Sequence, residues 1–166
     1  ASRMIGIDFK EIKKNIKHLK LPKKRFEFRG QVNERHLYDD YAHHPSEIKE
    51  TIKLARLFIN QQNNNKCQQN RLIAIFQPHR YSRVKQFIKE FAKELSKADV
   101  IYVTSIYGAG EKNEDKITSK IITDLIYKQN KNVSYINNYH EITKNFYDLT
   151  QKGDLILNMG AGDCHN

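Results

Sequence analysis

Leu72-Ile73-Ala74-Ile75-Phe76-Gln77-Pro78-His79-Arg80-Tyr81-Ser82-Arg83 decides the fold of this 166-residue chain. It opens on an unbroken apolar run, the pattern of a strand covered on both faces and hence of a parallel sheet. A polar loop follows, and then Val84, Phe87, Ile88, Phe91 and Leu95 recur at the helical period. The same alternation repeats on either side. His36-Leu37-Tyr38 reads as a strand, and Pro45 opens a helix that buries Ile48, Ile52, Ala55 and Ile59. Val100 to Val103 reads as a strand, and Ile117, Ile121, Ile122, Leu125 and Ile126 form a helical stripe. Val133 to Ile136 is a strand, Tyr139 to Leu149 a helix, and Leu155 to Leu157 a last strand. This order predicts an α/β fold, a mostly parallel sheet with helices on both faces and right-handed crossovers. Ahead of it, Ile7 to Leu19 reads as a helix with Asp8 and Glu11 at capping-box spacing, stopped by Pro22. Arg25 to Arg29 alternates as a strand that ends at Gly30, and Gln61 to Asn70 is a polar loop.

Length and composition narrow the class. The chain suits one domain, and 39% hydrophobic with 29% charged residues is a globular balance. No apolar run approaches the roughly 20 residues of a spanning helix. The start, Ala1-Ser2-Arg3-Met4-Ile5-Gly6, lacks the apolar core of a secretory signal. Cys67 and Cys164 have neither metal nor redox spacing and read as ordinary thiols, so a cytoplasmic location is expected. Lys+Arg 29 against Asp+Glu 19 gives a formal charge of +10. The lysines are dispersed, with Lys85, Lys89, Lys93 and Lys97 on one predicted exposed helical face, and no aromatic-interleaved basic stripe occurs. The charge reads as composition, with anionic substrates in second place; neither nucleic acid nor membrane is an expected partner.

Ligands of open α/β sheets bind beyond the carboxyl ends of the strands. The loops leaving those ends are Asp39-Asp40-Tyr41-Ala42-His43-His44-Pro45, Gln77 to Arg83, Tyr107-Gly108-Ala109-Gly110-Glu111-Lys112 and Met159-Gly160-Ala161-Gly162-Asp163. Nearly every unusual residue of the chain falls in them, which predicts one site on one edge. Asp39 and Asp40 suit sugar hydroxyls or a cation, or else cap the helix opening near Pro45. His43 and His44 suit proton transfer or ligation, but neighbours at a helix start point apart, so a metal pair is not expected and one is structural. Arg80 and Arg83, three apart at a helix start beside His79, can face one carboxylate or phosphate; the plainer reading is a solvated basic turn. The two Gly-Ala-Gly segments either let backbone approach a ligand or turn the chain. There is no G-x-G-x-x-G dinucleotide fingerprint and no phosphate-binding G-x-x-x-x-G-K-[ST], so any main phosphate loop lies in another domain or chain.

In order and spacing, Asp39 to Ile48, Phe76 to Arg83, Tyr107 to Glu111 and Gly160 to Asp163 resemble the C-terminal domain of the Mur ligases, and Lys24-Arg25-Phe26-Glu27 with Gly30 resembles the segment before it. The resemblance spans roughly residues 20–163. It implies a Rossmann-like domain of an ATP-dependent amide ligase of peptidoglycan precursor synthesis, in which ATP phosphorylates a muramyl carboxylate and an amine attacks the acyl phosphate. Residues 1–30 would be the tail of a central ATPase domain with its hinge, and 31–166 the C-terminal domain. By this pattern Arg25 and Asp40 bind the nucleotide, Asp40 at the ribose. Tyr41, His43, His79, Arg80 and Arg83 form the amino-acid pocket, the arginines on the carboxylate and the Tyr and His groups orienting the amine. Mg²⁺ would accompany ATP, held mainly by the central domain. The segment alone would not catalyse.

Within the family, the His79-Arg80-Tyr81-Ser82-Arg83 loop favours the member that adds L-alanine to UDP-N-acetylmuramate over the recycling member that adds a tripeptide. A basic nucleic-acid module rests on charge alone and would bind with steep salt dependence. An inert structural domain leaves the clustering of polar residues unexplained.

Overall fold

In the computed structural model, which describes residues 6–16, 22–63 and 70–162, a short helix α1 (Phe9–Ile16) precedes the sheet. The sequence extends this helix to Leu19, and residues 17–19 lie outside the described ones. The chain enters the sheet through β1 (Glu27–Val32), which pairs antiparallel with β2 (Arg35–Asp40). Asn33 and Glu34, with φ of 46° and 65°, supply the two left-handed residues that a tight hairpin turn requires. The strand predicted over 25–29 thus runs later and through Gly30. That glycine does not end it but sits at an irregularity in register between Phe28 and Gly30, at φ 145°. The boundary drawn at residues 30 and 31 falls inside this strand.

The remaining strands are parallel, because a helix between two strands returns the chain to the same end of the sheet. Helix α2 (Pro45–Asn63) leads to β3 (Leu72–Phe76), α3 (Tyr81–Leu95) to β4 (Val100–Val103), and α4 (Ser119–Tyr127) to β5 (Val133–Tyr135). Two short helices, α5 (Tyr139–Lys144) and α6 (Phe146–Leu149), lead to β6 (Leu155–Met159). The sequence reads these two as one helix. The break falls at Asn145 (φ −104°, ψ 19°), a residue type whose side chain competes with helical backbone bonding. Helix α2 reaches Asn63 and takes in the start of the segment read as loop; both cysteines and Asp163 lie outside the described residues.

The strand order is β1-β2-β6-β3-β4-β5. Alternation along the central strands divides two cores. Leu72, Ala74, Phe76, Ile101, Val103, Leu155 and Leu157 face α2, α3 and α4 through Ile48, Ile52, Phe91, Leu95, Ile122 and Ile126. Ile73, Ile75, Tyr102 and Ile156 face the other way, against Ile142, Phe146 and Leu149. Helices therefore cover both faces, as predicted. Lys85, Lys89, Lys93 and Lys97 all lie on the exposed side of the α3 region, and no described helix is long and apolar enough to cross a membrane. At the amino end of the sheet, the fully buried Asp154 receives Arg71 at 3.0 and 2.7 Å and the Gln151 N–H at 2.7 Å, so its charge is met on all sides.

Because Phe91 is fully buried between α3 and the sheet, Phe91→Ala should cost about 3–5 kcal/mol in urea denaturation. Lys89→Ala, on the exposed face of the same helix, should stay within about 0.5 kcal/mol.

Candidate functional site

Strand β6 lies between β2 and β3, so the loops that leave β2 and β3 stand on either side of the Gly160-Ala161-Gly162 segment. The crevice is built from small residues in the middle and polar ones at the flanks. A Cβ on Gly162 would lie 2.5 Å from Gln77 Oε1 and 2.7 Å from Tyr107 Cγ, so only glycine allows this approach.

Asp39 and Asp40 are the last two residues of β2, not part of the loop after it, and pair with Asn158 and Met159. The Asp40 carboxylate is 5% exposed and accepts the Phe26 N–H at 2.7 Å and the Ala42 N–H at 2.8 Å. Asp39 accepts from Asn158 at 3.1 Å and pairs with Arg29 at 3.3 Å. Neither aspartate caps α2. That role falls to Glu47, whose Oε2 accepts the N–H groups of His43 (3.0 Å) and His44 (3.1 Å). Burial works to raise the Glu47 pKa, but these N–H groups, with the charges of His43 and Arg25, outweigh it and the net shift is downward. His44 is the structural histidine of the pair: Nδ1 lies 2.8 Å from Ser46 Oγ, and its ring meets Phe87 edge-on at 4.7 Å.

His43 turns the other way. Its Nδ1 lies 2.8 Å from the Tyr41 carbonyl and 3.3 Å from Glu47, and its ring centroid is 5.2 Å from Tyr41 and 5.7 Å from His79. The Arg25 guanidinium lies over the Tyr41 ring at 5.5 Å. Opposite, His79 stacks on Tyr107 at 5.6 Å and accepts from Arg83 at 3.2 Å. Its pKa is lowered, first by burial and then by the positive charges of Arg83, His43 and Arg80. Six of the seven residues singled out in the sequence, Arg25, Asp40, Tyr41, His43, His79 and Arg83, thus form one continuous group.

Arg80 stands at its rim. Its backbone is left-handed (φ 70°), held by its N–H to the Tyr107 carbonyl at 2.8 Å and its carbonyl to the Val84 N–H at 3.1 Å. Its guanidinium pairs at 3.7 Å with Glu111, whereas Arg83 turns to His79. The second glycine segment explains this. Ala109 (φ 49°) and Gly110 (φ 85°) form a tight turn closed by the Glu111 N–H to the Gly108 carbonyl at 3.0 Å. The turn carries Glu111 onto the start of α3, where it accepts the Ser82 N–H at 3.0 Å and the Ser82 hydroxyl at 2.7 Å. Those bonds, with the Arg80 charge, lower its pKa. The anion at this helix start is therefore the protein's own. Glu47, Tyr107 and Glu111 have no assigned role in the sequence reading. Glu47 carried a signal, the capping-box spacing from His44; Glu111 is 29 residues from Ser82, and no local pattern links them. Among the described residues no three His, Cys, Asp or Glu side chains converge to hold a metal ion.

Fold and site together define an α/β domain with arginine, histidine and tyrosine side chains gathered at the carboxyl edge of a mostly parallel sheet. The chain belongs to the Mur ligases: residues 24–162 match the family model described as "Mur ligase, glutamate ligase domain". It is 66% identical over 167 residues to the UDP-N-acetylmuramate–L-alanine ligase of Prochlorococcus marinus subsp. pastoris, covering 100% of this chain and 35% of the relative. It is 40% identical over 162 residues to the enzyme of the same name from Caldanaerobacter subterraneus, covering 98% and 33%. The chain thus spans about a third of the length of the curated relatives it matches. Among solved structures, UDP-N-acetylmuramate-alanine ligase of Thermotoga maritima superposes with a TM-score of 0.72 at 24% identity, over 98% of this chain and 32% of that one. Murein peptide ligase of Psychrobacter arcticus superposes at 0.64 and 23%, over 86% and 28%. These two likenesses carry the fold.

The lowered His79 pKa makes stability pH-dependent. Unfolded chains protonate this side chain near 6.5 while the native state resists protonation, so the stability it contributes is present above that pH and is lost on acidification. The urea midpoint should fall between about pH 7.5 and about pH 5.5, and His79→Gln should fall less.

Proposed function

We propose that this chain is one domain of an ATP-dependent amide ligase that joins L-alanine to UDP-N-acetylmuramate in peptidoglycan precursor synthesis, through an acyl phosphate. The observation that carries the reading is the name shared by relatives up to 66% identical across the whole chain. The site supports it, since its cationic and hydrogen-bonding groups match the two ends of an amino acid. Arg83 takes the carboxylate, joined by Arg80 once its guanidinium leaves Glu111, and Tyr41, His43 and His79 surround the amine. Positioning such a nucleophile against an activated acyl group is a large part of what an amide ligase must do.

Arg25 and Asp40 serve the nucleotide in this reading. Arg25 is exposed beside Tyr41 and free to move onto a phosphate or base. Each Asp40 oxygen accepts one backbone N–H and keeps a second lone pair, through which it would accept from ribose hydroxyls. The phosphate loop and the Mg²⁺ ligands belong to the part of the relatives that this chain does not span. ATP, when bound there, supplies the phosphoryl group that activates the muramyl carboxylate. Residues before β1 would connect the two domains, and the segment alone would be inactive. We place the enzyme in the cytoplasm, where its nucleotide substrates are.

The test is phosphate release by the full-length enzyme with ATP, UDP-N-acetylmuramate and single amino acids. Release stimulated by L-alanine and not by the tripeptide is expected; release with the tripeptide alone would reassign the chain to the recycling reaction. In the same enzyme, Arg83→Ala or Arg80→Ala should raise the KM for L-alanine about 10- to 100-fold, the value of a charged hydrogen bond, and leave that for ATP nearly unchanged. Asp40→Asn should instead raise the KM for ATP, and it should also lower stability, because one of the two backbone N–H groups then meets an NH₂. A normal ATP KM in a folded Asp40→Asn enzyme would refute the ribose role.

A further inference from the structure

We propose that His43 is the base that accepts the proton of the incoming amine, at Nε2, and that Glu47 positions it. This rests on the amide-ligase reading above and adds a catalytic role to a residue placed there only as a pocket wall.

The bonding at the two imidazoles settles their tautomers. A carbonyl only accepts, so the 2.8 Å contact between His43 Nδ1 and the Tyr41 oxygen puts a proton on Nδ1. In the neutral ring, Nε2 then carries the lone pair. A guanidinium only donates, so the 3.2 Å contact from Arg83 to His79 Nδ1 puts the lone pair there and the proton on Nε2. Two rings 5.7 Å apart therefore offer opposite chemistry, one an acceptor and the other a donor. Among the described residues, neither Nε2 has a hydrogen-bond partner within the protein.

An amino acid matches this pair. Its carboxylate takes the His79 N–H with the arginines, and its ammonium meets the His43 lone pair. His79 cannot be the base, because Arg83 occupies its only free lone pair. Glu47 lies 3.3 Å behind His43 Nδ1 and is held by the N–H groups of His43 and His44 at 3.0 and 3.1 Å. A carboxylate there keeps the tautomer and stabilises the imidazolium that forms on proton transfer. The charged and titratable groups around His43 are Glu47 from α2, Tyr41 from its own loop, His79 with Arg83 from the β3–α3 loop, and Arg25 from the segment before β1. The arginines lower the proton affinity of the amine itself, which eases the transfer.

One ammonium proton passes to His43 Nε2, and the freed nitrogen pair attacks the carbonyl carbon of the acyl phosphate. The C–N bond forms, the C–O bond to phosphorus breaks, and phosphate departs with that electron pair and the second nitrogen proton. The proton on His43 then passes to solvent.

The test uses the full-length enzyme with saturating ATP and UDP-N-acetylmuramate. His43→Gln should lower kcat with L-alanine by about 10²- to 10⁴-fold at neutral pH and flatten the acid limb of the rate profile. Hydroxylamine, an amine already unprotonated at that pH, should lose far less in the same variant, because only positioning and not proton removal is then lost. Glu47→Gln, which keeps an acceptor for both backbone N–H groups, should move the acid limb to lower pH with little change in the KM for L-alanine, and Glu47→Asp should restore it in part. Equal losses toward both amines in His43→Gln, or an unmoved limb in a folded Glu47→Gln enzyme, would overturn the proposal. A wild-type enzyme that does not use L-alanine would instead sink the reading beneath it.

Discussion

The Asp40 carboxylate is the junction on which the site depends. One oxygen holds the Phe26 N–H at 2.7 Å and the other the Ala42 N–H at 2.8 Å, while the Asp40 carbonyl accepts the Gly160 N–H at 3.2 Å. One residue at the end of β2 thus ties together the entry segment with Arg25, the loop with Tyr41 and His43, and the glycine segment after β6. A buried carboxylate left without such donors would be costly; supplied with them, it orders three irregular stretches of chain that have no ladder to hold them.

The other acidic groups near the crevice follow the same pattern. Glu27 accepts the Lys24 N–H at 2.8 Å, Glu47 those of His43 and His44, and Glu111 that of Ser82. Each closes a turn or a helix start, so carboxylates shape the backbone while Arg25 lies over Tyr41 and Arg83 meets His79. The result is a cationic edge whose own acids are largely committed to main-chain donors, a suitable surface for substrates that carry carboxylate and phosphate groups.

How much of this was legible in the sequence depended on whether the signal was local. The run Leu72 to Phe76 is a strand with the bounds expected of it, and Ile48, Ile52, Ala55 and Ile59 are the buried face of α2. The clustering of polar loops at one edge followed from strand order alone, and Arg25, Asp40, Tyr41, His43, His79 and Arg83 do meet there. What escaped notice depends on distant parts of the chain. The β1–β2 hairpin turns through Asn33-Glu34 and has no glycine to announce it. Asp39 and Asp40 extend β2 beyond its apolar signal, because their place in the strand is set by pairing with Asn158 and Met159. The pairing of Arg80 with Glu111 is decided by a turn between β4 and α4 that no spacing rule connects to α3.

The placement of β6 bears on how such a domain is made. It is the last of this sheet's six strands in chain order, yet it fills the gap between the second and the third. Until it emerges, β2 and β3 have no ladder partner on their facing edges, and the loops that carry His43 and His79 are not held at working distance. The hairpin β1–β2 and the unit β3–β4–β5 can form early on local contacts, but joining them waits for a pairing between residues far apart in the chain, the kind of contact that slows folding. During that interval the facing edges of β2 and of the apolar β3 are open to other nascent chains. In a domain with this topology the two parts of the sheet, and the loops at their carboxyl edge, come together in one late event.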